Sequence, residues 1–522
     1  MTGAESLLRT ALDSGVSACF ANPGTTEMDL VAALDKTPEM KTVLALFEGV
    51  CTGMADGYGR MTDTPAMTLL HLGVGLGNGI ANLHNARRAQ SPIVNIVGDH
   101  PAAHLKYDAP LTSDIATMAA PVSEVVHTSE TADGVGEDMA GMIARAKTLP
   151  GNIATLIVPS DTMKDETNSV AAMIEADAPP SLDDGKLKLA QDALEKSPST
   201  TAVIVNGRAL RREGLETASR IVQKTGCTFF APCFPGRLDR GAGIPLIARL
   251  PYFPEAVQER IAPFNTLILV GAYTHPVSFF KYEGMPSDLV PEGCRLIDLA
   301  QRQHDTINVL RILEESTNAA SKSAVHTELK IPNTPTGAIN LKTIAPSVAR
   351  LLPENAIISD TSATSGAPIF YLTQTAQAHS SMYLTGGGIG MGMPCATGAA
   401  VACPDRPVVS LQSDGGGMYT LQALWTQARE SLNVTTILFA NRKYQILQTE
   451  LDRAGITEPG PIATSLTDLS NPDLNWCDLA RGMGVPASRP ETIEEFQNVL
   501  AGSFVEDGPR LIELMIRSEE HT

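Results

Sequence analysis

The sequence contains few basic residues and few aromatic ones, and both shortages narrow the class of protein. Lys and Arg number 39 against 58 Asp and Glu, which gives a formal net charge of −19, and aromatic residues make up 5%. Such an acidic surface repels phosphate backbones and anionic lipid, so we expect no nucleic-acid partner and no membrane. A phosphate ligand would have to be held locally by backbone amides, a cation or a metal ion.

Disulfide and targeting signals are missing as well. The eight cysteines include no C-x-x-C pair, which favours free thiols in a reducing compartment over a disulfide framework or a zinc site. Residues 1–15 have neither a basic head nor an apolar core. The longest uncharged run, 64–86, is interrupted by asparagines, histidines and glycines, so it is a poor membrane span. We therefore expect a soluble cytoplasmic enzyme.

Short apolar runs alternate with helical patterns along the chain, which is typical of parallel α/β layers. Two polar, proline-containing stretches, 165–186 and 319–340, have the composition of linkers. For 522 residues they leave blocks at 1–165, 186–320 and 340–522, so we predict three doubly wound α/β domains. The runs that we assign to strands are 16–21, 42–46, 66–70, 93–97, 154–158, 201–205, 227–231, 266–270, 294–297, 356–359, 408–411, 435–440 and 510–515.

Polar residues follow two neighbouring strands of the third block. Asp414 and three glycines come after run 408–411, and Asn441 ends run 435–440. A right-handed β-α-β crossover makes these strands parallel, so both side chains should emerge at one edge of the sheet. Carboxylate and carboxamide oxygens suit Mg²⁺, and the glycines let amides approach a phosphate at the helix start. An ordinary turn with a capping Asp is the simpler alternative.

The segment SDGGGMYTLQALWTQARESLNVTTILFAN, 413–441, resembles the thiamine-diphosphate signature, which opens with G-D-G and closes with N-N. Ser413 and Ala440 depart from that pattern, whereas both proposed metal ligands are kept. The resemblance implies a Mg²⁺ ion held by Asp414, Asn441 and the backbone carbonyl of Lys443.

A glycine-rich turn at 386–392 resembles the family's loop for the cofactor aminopyrimidine. The resemblance implies that the Gly387 carbonyl accepts from the 4′-amino group and that Ile389 is the apolar wedge that bends the cofactor. On the same basis the further cofactor-binding residues are Gly415, Gly416, Tyr444 and Ser362. A dinucleotide-binding turn is the rival interpretation, but no clean G-x-G-x-x-G with an acidic residue about 20 positions on follows a strand.

Glu48 follows a predicted strand and begins a helix that is free of further charge until Asp56. Its segment F-E-G-V-C-T-G-M-A-D-G-Y-G-R resembles the family's E-x-x-A-x-x-x-A-x-G-Y-A-R. In that family a carboxylic acid hydrogen bonded to the aminopyrimidine promotes loss of the C2 proton of the thiazolium. Apolar surroundings keep such an acid protonated near neutral pH. A glutamate favoured by the helix dipole is the alternative.

Two further pieces of the first block resemble benzoylformate decarboxylase, N-P-G-T-T-E at 22–27 and L-H-L-G-V-G-L-G-N at 70–78. They imply that Thr25 and His71 face the thiazolium, although a turn hydroxyl and a core histidine are the simpler interpretations. The second histidine of those decarboxylases aligns roughly with Lys281. The helix after Asn441 should cover the substrate, which makes Leu447 and Glu450 pocket candidates; core packing and solvated surface charge remain alternatives.

The resemblance implies a pyrimidine-binding, a middle and a diphosphate-binding domain. It also implies Mg²⁺- and thiamine-diphosphate-dependent, non-oxidative decarboxylation of a 2-oxo acid through an enamine. An acetolactate synthase-like carboligase that forms acyloins is the first alternative, and a catalytically silent relative is the second. No flavin segment is recognisable in the middle block, so we do not expect FAD. Because the family builds its site from two subunits, we expect at least a homodimer and favour a homotetramer.

Overall fold

The computed structural model describes residues 1–516, and its strands form three sheets. The first sheet has six parallel strands in the order β2-β1-β3-β4-β6-β5. Its strands are β1 (Ala18–Asn22), β2 (Lys41–Leu44), β3 (Ala66–Leu70), β4 (Ile93–Asp99), β5 (Val125–Thr128) and β6 (Ile153–Pro159). Its helices are α1 (Gly3–Asp13), α2 (Met28–Asp35), α3 (Glu48–Thr62), α4 (Leu72–Ala89), α5 (Ile115–Ala119), α6 (Val135–Lys147) and α7 (Ser160–Lys164).

The middle part of the chain supplies a second sheet of five parallel strands and one further strand that does not pair with this sheet. The strands are β7 (Thr201–Val205), β8 (Thr228–Ala231), β9 (Arg237–Arg240), β10 (Ala248–Arg249), β11 (Thr266–Val270) and β12 (Arg295–Ala300). The helices are α8 (Asp184–Lys196), α9 (Arg212–Thr225), α10 (Pro254–Ile261) and α11 (Thr306–Ser316). The order in the sheet is β10-β8-β7-β11-β12, so β9 lies elsewhere.

The third sheet has seven strands in the order β17-β18-β16-β15-β13-β14-β9, with β9 antiparallel to β14. Its own strands are β13 (Ala356–Thr361), β14 (His379–Tyr383), β15 (Val408–Ser413), β16 (Val434–Ala440), β17 (Ala487–Ser488) and β18 (Arg510–Met515). Its helices are α12 (Leu341–Leu351), α13 (Ala367–Thr373), α14 (Gly392–Ala402), α15 (Asp414–Gly417), α16 (Ala423–Arg429), α17 (Gln445–Arg453), α18 (Pro461–Ser465), α19 (Trp476–Gly482) and α20 (Ile493–Ser503).

The prediction of an α/β protein built from several parallel sheets is confirmed. Runs 66–70, 201–205, 266–270 and 510–515 coincide with β3, β7, β11 and β18. The sequence analysis missed β5, β9, β10, β14 and β17. Strand β14, H-S-S-M-Y, carries no apolar run, and β9, R-L-D-R, is an edge strand whose charged residues are held by tertiary contacts. The chain boundaries of the three domains stay predictions.

Small residues bring the first and third parts of the chain together. A Cβ atom at Gly57 of α3 would overlap the backbone of Cys395 in α14, and one at Gly398 of α14 would overlap the backbone of Met54. The two helices therefore pack backbone against backbone. This contact fixes the position of α3, which begins at Glu48, relative to the third sheet. Within residues 1–516 no helix combines the length and the apolarity needed to cross a bilayer.

Candidate active site

Glu48 is the first residue of α3 and lies just beyond the end of β2. It is 7% exposed, and its Oε2 accepts a hydrogen bond of 2.9 Å from Asn78 Nδ2 of α4. A Cβ atom at Gly75 would approach its Oε1 to 2.9 Å, so the glycines of α4 leave room for the carboxyl group. The carboxyl group is thus buried between two helices and held by a neutral donor.

His71 precedes α4 and contacts a second buried acid that the sequence analysis gave no role. Its Nδ1 lies 2.8 Å from Glu27 Oε2, and the Glu27 side chain has no exposed surface. The backbone NH of Gly24 and the Thr26 hydroxyl also donate to this carboxylate, at 2.8 and 2.5 Å. The hydroxyl nearest the imidazole belongs to Thr26, 3.5 Å from Nδ1, whereas Thr25 is exposed in the short 3₁₀ turn Thr25–Glu27.

Residues at the end of β4 pack directly against the Glu27 carboxylate. A Cβ atom at Gly98 would overlap Glu27 Oε1, so only glycine fits there without displacing the acid. The next residue, Asp99, is buried, and burial raises the pKa of its carboxyl group, opposed by the hydrogen bond from the His100 amide. Three strand ends, those of β1, β3 and β4, therefore surround one acid–imidazole pair.

Asp414 and Asn441 lie at the carboxyl ends of the neighbouring parallel strands β15 and β16. Asp414 Oδ2 accepts from the backbone NH of Arg442 at 2.7 Å, and its Oδ1 accepts from Gly415 at 2.8 Å. Asn441 Oδ1 accepts from the Lys443 amide at 3.1 Å. Burial raises the pKa of Asp414, and the bonds from Arg442 and Gly415 oppose that rise. The two loops thus converge as the crossover geometry predicts.

Among residues 1–516 no three His, Cys, Asp or Glu side chains gather around a common point that could hold a metal. A cation beside Asp414 would therefore have one carboxylate ligand, completed by neutral oxygens such as those of Asn441 and the Lys443 backbone. One carboxylate with neutral oxygens is a ligand set that Mg²⁺ accepts when substrate phosphates fill the remaining positions.

The residues assigned to cofactor binding are packed closely around this edge of the sheet. A Cβ atom at Gly415 would overlap the Tyr444 ring, and Gly416 NH donates to the Ser413 hydroxyl at 3.3 Å. Burial raises the pKa of the Tyr444 hydroxyl. The Ser362 hydroxyl, by contrast, donates to Asp360 Oδ1 at 2.6 Å, so part of its hydrogen-bonding capacity is already used.

The glycine-rich turn 386–392 is held by side chains of α4. Asn85 Nδ2 donates to the Gly388 carbonyl at 2.8 Å and its Oδ1 accepts from the Gly388 NH at 3.2 Å. His84 Nε2 lies 3.0 Å from the Gly386 carbonyl. Gly387 has a φ of +76°, and Ile389 is 37% exposed. The exposed apolar side chain at the tip of a fixed turn has the form expected of a wedge.

An aromatic cluster of the middle part of the chain adjoins this turn, and its members are Phe234, Tyr252, Phe253, Phe279, Phe280 and Tyr282. The Phe279 ring would lie 3.2 Å from a Cβ at Gly387. Tyr282 donates to Glu450 Oε1 of α17 at 3.0 Å, and burial followed by this bond raises the pKa of the Tyr282 hydroxyl.

Tyr282, rather than Lys281, links the loop of Lys281 to helix α17, the two segments that we assigned to the substrate pocket. Lys281 is exposed, and its ammonium group donates to the Met285 carbonyl in its own loop. Leu447 of α17 is 46% exposed. The assignment of Lys281 to the pocket stays a prediction.

Comparisons with known proteins agree with this geometry. Residues 1–120 match the thiamine pyrophosphate enzyme N-terminal TPP binding domain, and residues 362–514 match the C-terminal TPP binding domain. The "Putative acetolactate synthase large subunit IlvX" of Mycobacterium tuberculosis is 46% identical, over 99% of each chain. The chain therefore belongs to the thiamine-diphosphate-dependent enzymes, in the family that holds the 2-oxo acid decarboxylases and acetolactate synthases, which confirms the resemblance read from its motifs.

More distant relatives carry decarboxylase names. Benzoylformate decarboxylase of Pseudomonas aeruginosa is 26% identical over 97% of each chain. The 4-hydroxybenzoylformate decarboxylase of Rhodococcus jostii RHA1 superposes with a TM-score of 0.85 at 22% identity over 99% of each chain. Benzoylformate decarboxylase of Polynucleobacter necessarius superposes with a TM-score of 0.82 at 19% identity, also over 99% of each chain. These two structural likenesses concern the fold.

Proposed function

We propose that the protein is a Mg²⁺- and thiamine-diphosphate-dependent decarboxylase of a 2-oxo acid that works without flavin. The observation that carries this proposal is Glu48, an almost fully buried acid held by Asn78 at the start of α3. A buried carboxyl group without a cationic partner destabilises a fold, so its presence there points to catalysis. The Glu27–His71 pair lies in the same part of the chain, at the adjacent strand ends.

The residues at the edge of the third sheet fit the diphosphate end of the cofactor. Gly415 is packed so tightly against Tyr444 that a side chain is excluded. The amides of Gly415 and Gly416 already donate to Asp414 Oδ1 and to the Ser413 hydroxyl, so we propose that the diphosphate lies beside this backbone rather than on free amides. Asp414, Asn441 and the Lys443 carbonyl would hold the Mg²⁺ ion, and the Gly387 carbonyl and Ile389 would receive the pyrimidine. When bound, thiamine diphosphate would supply a nucleophilic C2, once the C2 proton is lost, and a thiazolium ring that serves as the electron sink for decarboxylation of a 2-oxo acid.

We propose that side chains of the protein itself carry out the proton transfers. Glu48, buried and bound to the neutral donor Asn78, would hold a proton at Oε1 or Oε2 against the cofactor pyrimidine. Glu27 accepts from His71 Nδ1, which fixes the imidazole orientation and leaves Nε2 as the atom that exchanges a proton with the substrate. Leu447, Glu450 and Lys281 are proposed to line the substrate side, and Thr25 the thiazolium side. Thr26 is the hydroxyl that supports the pair.

Carboligation is the second candidate, because a relative of 46% identity carries an acetolactate synthase name. Both reactions share the steps up to loss of carbon dioxide, and they differ in whether a proton or a second carbonyl compound is then accepted. The side chains of Tyr282, Phe279 and Leu447 are proposed to decide between these outcomes by setting the room available for an acceptor.

The assembly is proposed to be at least a homodimer, and a homotetramer is favoured. Apolar side chains remain exposed around the candidate site, Leu46 and Val74 by 48% and Ile389 by 37%. A second copy of the chain would cover these surfaces. The eight free cysteines support a cytoplasmic location.

A panel of 2-oxo acids, assayed with and without an acceptor aldehyde in the presence of thiamine diphosphate and Mg²⁺, tests the proposal. Aldehyde as the product in both arms supports the decarboxylase, and acyloin in the acceptor arm supports the carboligase. Proton–deuterium exchange at C2 of the bound cofactor separates either enzyme from a silent relative. Light scattering on the same preparation tests the assembly, and a monomer would contradict it.

A further inference from the structure

A cavity outside the candidate active site lies where the middle part of the chain meets the edge of the third sheet. Its walls come mainly from strand β9, from residues 245–249, which include β10, and from helices α10 and α13. The residues that line it all differ from those of the candidate active site. Its volume is about 200 Å³, and a cavity of about 150 Å³ is large enough for benzene. The space therefore fits a small organic molecule with one ring.

The lining is largely apolar, but it contains a guanidinium group that is rigid, accessible and without an acceptor. Arg249 is half-buried, and its Cζ lies 3.9 Å from the centroid of the Phe370 ring and 4.9 Å from that of the Tyr383 ring. Within residues 1–516 no protein group accepts a hydrogen bond from this guanidinium, and its nitrogens keep surface that solvent can reach. A guanidinium whose face rests on rings leaves its edge N–H groups free for a carboxylate.

Two further arginines add positive charge to the lining. Arg260 of α10 is exposed. Arg240 is 5% exposed and donates only to neutral oxygens, the Phe370 carbonyl at 2.6 Å and the Tyr383 hydroxyl at 3.3 Å. Burial lowers the pKa of Arg240, opposed by Tyr383 and Asp360. A bound anion would reduce the cost of holding these charges together.

Acidic residues of the chain do not neutralise this charge. In the described part of the chain no Asp or Glu forms an ion pair with Arg240, Arg249 or Arg260. The one acid in the lining, Asp239, already accepts from Arg237 Nε at 3.0 Å. The cavity therefore carries surplus positive charge, although the chain as a whole has a net charge of −19.

We propose that this cavity binds an aromatic monocarboxylate, whose carboxylate group pairs with Arg249 and Arg260. The ring would lie against the apolar lining residues, among them Leu246 and Tyr371, which are 59% and 64% exposed. A carboxylate matches the edge of a guanidinium with two parallel hydrogen bonds. An inorganic anion would leave the apolar lining in water, and a neutral ring would leave the arginines without a partner. The site does not depend on the proposed catalytic function.

Calorimetry on the protein saturated with thiamine diphosphate and Mg²⁺ tests the site, with sodium benzoate as the probe. We expect benzoate to bind with a Kd on the order of 1 mM or tighter. Benzamide, which lacks the charge, and acetate, which lacks the ring, should each bind at least about 10-fold more weakly. No binding of benzoate, or equal binding of benzoate and either comparison compound, would overturn the proposal.

A substitution in the lining tests whether benzoate binds in this cavity. Arg249→Gln should raise the Kd about 10- to 100-fold, because it removes a charge-assisted pair of donors. Arg295→Gln is the matched control, since this arginine of the second sheet is exposed and lies outside the lining. It should change the Kd less than about 2-fold. Equal effects of the two substitutions would contradict the assignment.

A second variant covers the case in which loss of Arg249 disturbs the packing on Phe370. Leu246→Glu adds a carboxylate at an exposed position of the lining, so like-charge repulsion should weaken benzoate binding at least about 10-fold while the Tm stays the same. Leu246→Gln, of the same size without the charge, should retain binding. Benzoate binding that survives Leu246→Glu, or that is lost equally in Leu246→Gln, would overturn the proposal.

Discussion

Nδ1 of His71 lies 2.8 Å from Oε2 of Glu27, and that carboxylate is completely shielded from solvent. The two residues are 44 positions apart in the chain and meet because β1 and β3 are adjacent parallel strands. An acid that accepts from one nitrogen of an imidazole fixes its tautomer and aims the other nitrogen. Glu27 is therefore best described as a positioning residue for His71.

Glu27→Gln should lower kcat by about 10- to 100-fold, because the neutral amide no longer stabilises the imidazolium form of His71. In a double-mutant cycle with His71→Asn, the second substitution should add little to the first. Additive losses would mean that Glu27 does not act through His71. Glu39→Gln, at an exposed position of the same domain, is the control.

Gly98→Ala should displace the Glu27 carboxylate, since the new methyl group would overlap Oε1. We expect a loss of about 1–3 kcal/mol in unfolding free energy together with a fall in kcat similar to that of Glu27→Gln. Denaturant unfolding and steady-state kinetics measure the two effects. Gly141→Ala, in helix α6 with nothing within 4 Å of the new Cβ, is the matched substitution and should leave activity intact. Wild-type activity in Gly98→Ala would contradict the positioning role.

Glu48→Gln should reduce turnover by about 10²- to 10⁴-fold, the range for removal of a positioned acid–base group. Deuterium exchange at C2 of the bound cofactor should slow in parallel, while cofactor affinity changes little. Glu137→Gln provides a comparison, because that glutamate also lies in the first turn of a helix but is exposed. An unchanged exchange rate in Glu48→Gln would remove the proposed role.

Asp414→Ala should weaken retention of thiamine diphosphate, and more so at low Mg²⁺, because it removes the one carboxylate proposed for the metal. Gel filtration followed by cofactor quantification at two Mg²⁺ concentrations measures the loss. Asp405→Ala removes an exposed carboxylate at the turn before β15 and should have no effect. Cofactor loss that does not depend on Mg²⁺ would argue against a metal ligand.

His379 should make the fold sensitive to acid. Burial, and then the Arg240 charge, lower its pKa from 6.5 to about 3, so between these values the unfolded chain binds a proton that the folded chain does not. This contribution to stability is complete above pH 6.5 and is lost as pH falls towards 3. Between pH 7 and 5 it should amount to about 1–2 kcal/mol. His379→Gln should flatten the decline of the urea midpoint in this interval, whereas His326→Gln, at a half-exposed histidine, should not.

The pattern of apolar runs was sufficient to predict the strands at the centre of each sheet. Strand β11, for example, matches its predicted limits because Thr266–Val270 is buried on both faces and reads as a continuous apolar run. Strand β14 could not be found this way, since its Ser380 bonds to Asp239 of β9, a partner 141 residues away. A polar strand of this kind becomes stable only when a strand distant in the chain forms hydrogen bonds with its polar side chains.

The residues of the candidate site also fall into those that local sequence predicts and those that only the tertiary structure reveals. Local sequence alone predicted Glu48, Asp414 and Asn441 as site candidates, because each follows a predicted strand, strand ends at a sheet edge converge by topology, and their segments resemble the family motifs. Tertiary structure alone decided that Glu27 pairs with His71, that Asn85 holds the glycine-rich turn, and that Tyr282 rather than Lys281 reaches Glu450. These are contacts between side chains of distant segments, whose distances depend on how the strands and helices pack, and no local pattern encodes them.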